Sequence, residues 1–401
     1  MSRLRVDPGP LPAAPDERAD PASASPVPSP AGARVSGHLP RWGRDAIALL
    51  EEGARLGPVF QVRLWRRALV GYRPEWNRTI LSDLDTFRSR GSMSQLSPYL
   101  RGGVIALEAP AHRGRRAQLN PSFHRRAIAP LVTGRFTDIV DRSLPDGVFD
   151  AVSWAAAIVR RMLADAFFGP GDPPADLDRF LAPLDRALPA PLLPRPRRIR
   201  RMTGVLHAAM ADPAPGTLLD AFATLPGPAG AEEARVALAA GYDTTAHTLA
   251  FTLWEVAGRP EENDVDRTDA VVREALRLYP AGWIGSRVAA RSVDVDGRPV
   301  RAGQMVLYSP YLTHRDPRLW PRPTEFRPER FDQPLPAWGY LPFGAGERTC
   351  LGAALATAMV VAATRAFAAG TLRRVAGDPR PAGVLTLTPR GPLILEHRPH
   401  R

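Results

Sequence analysis

The sequence predicts a mainly α-helical domain with a minor β-sheet component. Apolar residues recur at three- and four-residue spacing over most of the chain, whereas the strict alternation of a half-buried strand is confined to a few short pieces. The 44 prolines interrupt many of the intervening segments before a long strand could form. Neither an internal repeat nor the βαβ rhythm of a parallel sheet is present.

Taken in order, residues 1–36 are rich in Pro, Ala, Ser and Asp, with PASASPVPSPAGA near their end. They hold too few large apolar side chains to offset the cost of ordering, which predicts a disordered tail ahead of a single domain over 37–401. Helical periodicity marks 41–56, 110–130, 151–168, 176–188, 232–257, 267–279 and 351–369. Alternation marks 59–64, 68–71, 293–300 and 384–396. The arginine-proline stretch 189–202 (PAPLLPRPRRIRRM) fits neither template and reads as a mobile surface segment.

Hydrophobic residues make up 44% and charged residues 23% of the 401, a globular balance. No run approaches the roughly 20 apolar residues needed to span a bilayer, and the N-terminus lacks the apolar centre of a secretory signal. The expectation is therefore a cytoplasmic protein with no membrane span. The net charge is +12, and since the sequence has no lysine, all 53 basic residues are arginine. They are dispersed, and no nucleic-acid-binding motif accompanies them. An acidic protein partner is thus at least as good a reading as nucleic acid. The single cysteine, Cys350, excludes an intrachain disulfide and any site built from several thiolates.

Cys350 carries the most specific signal. It ends the string Phe343-Gly344-Ala345-Gly346-Glu347-Arg348-Thr349-Cys350 and precedes the helix-forming run that begins at Leu351. A thiol at a helix N-terminus meets unpaired N–H groups and the positive end of the macrodipole, which favours its thiolate and metal binding. The glycines suit a backbone that approaches a flat, bulky group, and Arg348 is placed to face an anion.

The string matches Phe-x-x-Gly-x-Arg-x-Cys-x-Gly through Phe343, Gly346, Arg348, Cys350 and Gly352, and resembles the haem-thiolate loop of the cytochrome P450 superfamily. The resemblance runs from about residue 37 to the C-terminus and is closest to bacterial, actinobacterial-type members. It implies the P450 fold, with haem b (iron protoporphyrin IX) lying between an oxygen-groove helix and the helix after the cysteine loop. Cys350 is then the axial ligand, donating electron density that favours O–O cleavage.

Further motifs agree. Glu274-Ala275-Leu276-Arg277 and Pro328-Glu329-Arg330-Phe331 resemble the segments that form a structural triad of Glu274, Arg277 and Arg330. Ala240-Gly241-Tyr242-Asp243-Thr244-Thr245 breaks helix propensity inside a long apolar pattern and is similar to the oxygen-binding groove. There a widened turn admits water, Thr244 hydrogen-bonds the iron-bound peroxo group and Asp243 feeds it protons. His112 and Arg116, one turn apart, together with Arg287 and Arg348, correspond to the groups that grip the haem propionates. The resemblance also places Leu100, Val104, Leu193, Ala240, Trp283 and Ile284 around an apolar substrate pocket, with Tyr99 and Ser94 as polar candidates.

The implied function is monooxygenation: one atom of O2 enters a lipophilic small molecule. The segment Tyr308–Pro317 is in the style of actinobacterial members that act on terpenoids or other specialised metabolites. With no nucleotide-binding motif and no cysteines for an iron–sulfur cluster, electrons must come from elsewhere, and the resemblance implies their delivery from NAD(P)H through a ferredoxin and its reductase. Arg113 and Arg115 are candidate steering charges for that partner. Oxidative ring coupling, peroxygenation and a non-catalytic haem- or ligand-binding role remain open. One departure is a short interval between Thr245 and Glu274, which implies a truncated helix and connection there.

Overall fold

The computed structural model describes residues 27–93, 96–186 and 192–400. Its helices are α1 (Leu39–Leu56), α2 (Pro74–Ser82), α3 (Ala111–Leu119), α4 (Arg125–Pro130), α5 (Thr137–Asp141), α6 (Ala151–Phe168), α7 (Ala175–Leu181), α8 (Pro196–Ala209), α9 (Leu218–Ala223), α10 (Ala229–Ala257), α11 (Thr268–Leu278), α12 (Pro310–Thr313) and α13 (Ala353–Ala366). The strands are β1 (Val59–Arg63), β2 (Arg67–Gly71), β3 (Phe87–Arg88), β4 (Gly147–Asp150), β5 (Gly285–Ala289), β6 (Val293–Val295), β7 (Arg298–Val300), β8 (Met305–Tyr308), β9 (Gly370–Gly377), β10 (Pro381–Gly383), β11 (Leu387–Pro389) and β12 (Leu393–Pro399).

The predicted architecture is present: helices dominate and the sheets are small. At the centre lies α10, 29 residues long and buried over most of its length, packed against α6, α8, α9, α11 and α13. Its neighbours fill the largest apolar cluster, which includes Phe167, Phe222, Leu249, Val272 and Met359. A helix hydrophobic on all sides belongs at the middle of such a bundle.

The main sheet has the order β1-β2-β8-β5-β3, with only β2 and β8 parallel. Its period-two alternation builds two further clusters. Phe60, Val62, Ala68, Val70, Met305 and Leu307 meet Ile47 and Leu50 of α1, while Val59, Leu69 and Val306 meet Trp76 and Ile80 of α2. Successive side chains point to opposite faces, so one sheet anchors a helix on each side. A second sheet, β4-β12-β9, joins the chain's C-terminal end to the start of α6.

Several expectations change. Of the tail predicted to end at 36, residues 27–36 are tied down: Pro28 accepts from the Gln61 amide, and the carbonyls of Ala33 and Arg34 accept from the Arg63 guanidinium. Residues 1–26 lie outside the described residues. The pattern over 110–130 is two helices, because Pro121 cannot donate within a continuous helix and His124 caps a new one. Within 189–202, residues from Pro196 onward belong to α8, which buries Met202 and Leu206 one turn apart; the arginines hid that stripe. After Thr245, α10 continues to Ala257, which leaves few residues for the rest of the interval. These form the connection from Gly258 to Arg267, which holds one short turn.

Helix α6 matches its predicted range, 151–168, and its start has a local cause. The Asp150 carboxylate accepts from the Val152 and Ser153 amides at 3.1 and 3.3 Å, and also from the Leu393 amide of β12 at 3.1 Å. Asp150→Ala removes the cap and the link to the sheet together. We expect a loss of about 1–2 kcal/mol, read as a lower urea midpoint with unchanged far-ultraviolet circular dichroism.

Candidate active site

The cysteine loop is shaped by two positive-φ glycines, Gly344 (+69°) and Gly346 (+70°), and closed by a 2.8 Å bond from the Cys350 amide to the Phe343 carbonyl. Phe343 is half-buried against the main cluster. A Cβ on Gly346 would sit 2.3 Å from the Leu81 carbonyl at the end of α2, so this glycine is required by protein packing rather than by a flat guest. At Gly352 a Cβ would meet nothing within 4 Å, which leaves its open side free.

Cys350 is solvent-accessible yet surrounded by protein. Burial pushes its thiol up, against the lowering effects of the Gly352 amide and the Arg116 charge. Desolvation thus opposes the helix-terminus effect expected to favour a thiolate. A thiolate there needs a bound metal cation to offset the desolvation.

Three arginines and a histidine converge beside this loop. Arg116 on α3 donates to the Thr349 carbonyl at 2.9 Å. Arg348 donates to the Leu107 carbonyl at 2.7 Å and pairs with Glu108 at 3.2 Å. Arg287 on β5 donates to the Ser286 carbonyl at 2.8 Å. His112, 2% exposed, lies close enough to these guanidinium groups for their charge to act on it, and burial with that repulsion lowers its pKa to about 4, so it is neutral. His112 Nδ1 and the Nε atoms of Arg116, Arg287 and Arg348 are buried without a hydrogen-bond partner. Buried nitrogens left unpaired together, three of them on guanidinium groups, fit an anionic guest.

On α10, Ala240 is exposed although Leu238, Ala239, Tyr242 and Asp243 around it are buried. The helix therefore faces open space at mid-length. Thr244 Oγ1 donates to the Ala240 carbonyl at 2.7 Å, and Thr248 and Thr252 repeat this bond one and two turns on. The widened turn expected here is absent: α10 runs as unbroken α-helix, and the threonine hydroxyls are satisfied by carbonyls four residues back. Asp243 is buried. Thr386 Oγ1 donates to its carboxylate at 2.7 Å and His247 Nδ1 lies 3.3 Å away; burial pushes its pKa up while the His247 charge opposes this.

Glu274 and Arg277 are fully buried on α11 and joined by two bonds of 2.7 and 2.8 Å. Arg330 Nε reaches Glu274 at 3.2 Å and the Arg327 amide donates to it at 2.8 Å. Arg277 also donates to the carbonyls of His314, Pro323 and Glu325. His314 completes the linkage. Its Nε2 accepts from the Leu341 amide at 2.7 Å, so Nδ1 carries the proton and donates to the Arg277 carbonyl at 2.9 Å. The triad is thereby fastened to the strand of chain that enters the cysteine loop.

A cytochrome P450 family model matches residues 263–367, which span the triad helix, the Arg330 segment and the cysteine loop. The chain is 28% identical to cyclooctat-9-en-7-ol 5-monooxygenase of Streptomyces melanosporofaciens, over 83% of this chain and 87% of that protein. It is 25% identical to cyclooctatin synthase of the same organism (90% and 94%) and 29% identical to a putative cytochrome P450 139 of Mycobacterium tuberculosis (71% and 80%). This chain is a cytochrome P450. The P450 fold is matched by the retinoic acid bound cyanobacterial CYP120A1, with a TM-score of 0.80 over 94% of this chain and 100% of that one, at 20% identity. Together these similarities identify a P450 monooxygenase.

Of the residues expected to line the substrate pocket of this P450, Leu100, Val104 and Ile284 are half-buried and Ala240 is exposed. Trp283 is not available to a guest. It is 2% exposed, packs on Trp42 with ring centroids 5.5 Å apart and donates to the Val384 carbonyl, because its ring fills the core beneath the sheet. Tyr99 is likewise buried, against Phe180; Leu193 is 47% exposed, and Ser94 lies outside the described residues. The proposed steering arginines are engaged: Arg115 pairs with buried Glu233 at 3.0 Å and Arg113 with Glu347 at 2.7 Å. Sequence reasoning missed Glu233, which also accepts from the Val104 amide, and Arg235, which donates to the Tyr99 carbonyl. Two charges in an apolar helix were the available signal.

Two outcomes follow for this P450. Glu274→Ala leaves Arg277 buried and uncompensated, which costs about 3–5 kcal/mol and should appear as a collapse of soluble yield or urea midpoint. His314 has a pKa of about 3, far below its ordinary 6.5. The unfolded chain therefore takes up a proton first, and stability is lost as pH falls from about 6.5 toward about 3, at up to about 1.4 kcal/mol per pH unit. His314→Gln should show a shallower fall between pH 6 and 4 in urea titrations.

Proposed function

We propose that this P450 holds haem b through Cys350 and inserts one oxygen atom from O2 into a lipophilic, terpenoid-like molecule in the cytoplasm. The supporting observation is the accessible Cys350 sulfur beside unpartnered buried donors on His112, Arg116, Arg287 and Arg348. A porphyrin carrying two carboxylates and an iron that takes a thiolate suits that donor set. When bound, the haem supplies an iron centre that activates dioxygen for insertion into an unreactive bond.

The residues' own parts then follow. Cys350 serves as a deprotonated sulfur ligand, with the Gly352 amide as its hydrogen-bond donor. The arginines and neutral His112 hold the carboxylates, and their charge excludes competing cations. Ala240 keeps α10 thin at the place where the helix faces open space. Thr244 Oγ1 already spends its proton on Ala240, so its free lone pairs accept a further hydrogen bond. Asp243, whose carboxyl burial pushes up, is the acid next to it in the chain. Leu100, Val104 and Ile284 offer apolar contact area to a guest.

The substrate class rests on the relatives: one acts on cyclooctat-9-en-7-ol, and the structural neighbour carries retinoic acid. Both are largely hydrocarbon with one oxygen function, in keeping with an apolar lining. Electrons are assigned to an external ferredoxin and its reductase, drawing on NAD(P)H.

The reduced, carbon monoxide-treated protein should show a strongly red-shifted Soret band, and Cys350→Ala should lose it. A band typical of histidine or thiol ligation in the wild type overturns the assignment. Thr244→Ala should keep its haem yet lower product per NAD(P)H by about 10-fold or more, with hydrogen peroxide released in place of product. Full coupling in that variant removes Thr244 from the proton path.

A further inference from the structure

Asp243 opens to a space of its own. A cavity of about 350 Å3 between α6 and α10 is lined by Ser153, Arg160, Asp185, Tyr242, Asp243 and His247, among others. It reaches the surface, since Ser153 is exposed and the Asp185 and Arg160 side chains are 40% and 27% exposed. Its inner end is closed by His247 and Asp243, at 16% and 7%.

The outer polar groups satisfy one another: Arg160 donates to the Tyr242 hydroxyl at 2.7 Å, and that hydroxyl donates to Asp185 at 2.5 Å. The inner pair is arranged differently. Thr386 Oγ1 spends its proton on Asp243 Oδ2, while His247 Nδ1 stands 3.3 Å from both Asp243 Oδ1 and Thr386 Oγ1. Two acceptors would repel at that contact, so a proton lies on Nδ1. Nε2 is then the ring nitrogen left for water in the cavity.

We propose that this cavity is the proton entrance of the enzyme and that His247 passes protons from its water to Asp243. The proposal rests on the reading of Asp243 and Thr244 given above. A proton taken up at Nε2 is matched by the one released from Nδ1 to Asp243 Oδ1. The ring thus gains and loses one proton per transfer, and exchange with cavity water restores its tautomer. Among the charges facing Asp243, Asp185 opposes its ionisation and Arg160 is engaged with Asp185 and Tyr242, which leaves His247 as the group able to move a proton on or off it. Imidazole is suited to this work because one ring nitrogen can accept a proton while the other donates one.

The test begins with infrared titration of the Asp243 carboxyl in the full chain, its band assigned by loss in Asp243→Asn. In His247→Gln the midpoint should move to higher pH by about 1 unit or more, since the carboxylate loses the Nδ1–H donor that favours its charged form. An unchanged midpoint overturns the proposal, and this measurement needs no turnover. The second arm uses haem-loaded protein with a ferredoxin, its reductase and NADPH, and a fused-ring diterpene alcohol as probe. His247→Gln should lose the pH dependence of product per NADPH and show a larger solvent deuterium effect at unchanged haem content. Ala157→Trp, which plugs the cavity and leaves His247 in place, should slow turnover in the same way. Wild-type behaviour in both variants sinks the entrance. Loss of the red-shifted carbonyl band in the wild type would instead sink the haem-thiolate reading, and the infrared shift would still decide His247.

Discussion

The buried pair Glu274–Arg277 is the interaction on which the rest of the molecule depends. Two charges with no exposed surface are tolerable only if every donor and acceptor is used, and here they are: Arg330, the Arg327 amide and three backbone carbonyls converge on them. Those partners lie 37 to 56 residues away along the chain. Satisfying one helix's charges therefore dictates the path of the long irregular segment that leads to the cysteine. Such a segment has few backbone bonds of its own, and the pair supplies them.

His314 extends that constraint. With one ring nitrogen on Arg277 and the other on Leu341, it must stay neutral, and burial keeps it so. The cysteine loop then begins from a fixed point and ends at α13, which packs on α10. The loop's other anchors are Gly346 against α2 and Arg116 against Thr349. Four separate elements thus locate one sulfur atom. In contrast, the donors of His112, Arg116, Arg287 and Arg348 are left unsatisfied. Unpartnered buried nitrogens on four side chains that meet beside the cysteine mark this place as one built to receive a polar guest.

Helix α10 separates two environments. Ala240 and Thr244 meet open space, whereas Asp243, one residue before Thr244, meets Thr386, His247 and a cavity that opens at the surface. A 100° step between neighbouring residues is enough to put adjacent polar groups on different sides of one helix. The threonines at 244, 248 and 252 bond back to carbonyls of their own helix, which satisfies their hydroxyls inside the bundle.

The sequence alone determined the family, the helical class, the range of α6 and the identities of the cysteine loop, the triad and the cationic cluster. The cysteine loop and the Glu274/Arg277 pair are written in motifs of fixed spacing, whereas Arg287 and Arg330 are reached through the family resemblance of their segments. Tertiary structure decided what spacing cannot carry: that Trp283 fills the core, that Arg113 and Arg115 already have carboxylate partners, and that Gly346 yields to α2. It also decided that the surrounding protein pushes the Cys350 thiol up, against the Gly352 amide and the Arg116 charge. Desolvation and ion pairing depend on groups more than 100 residues apart meeting in space, and no local pattern records that meeting.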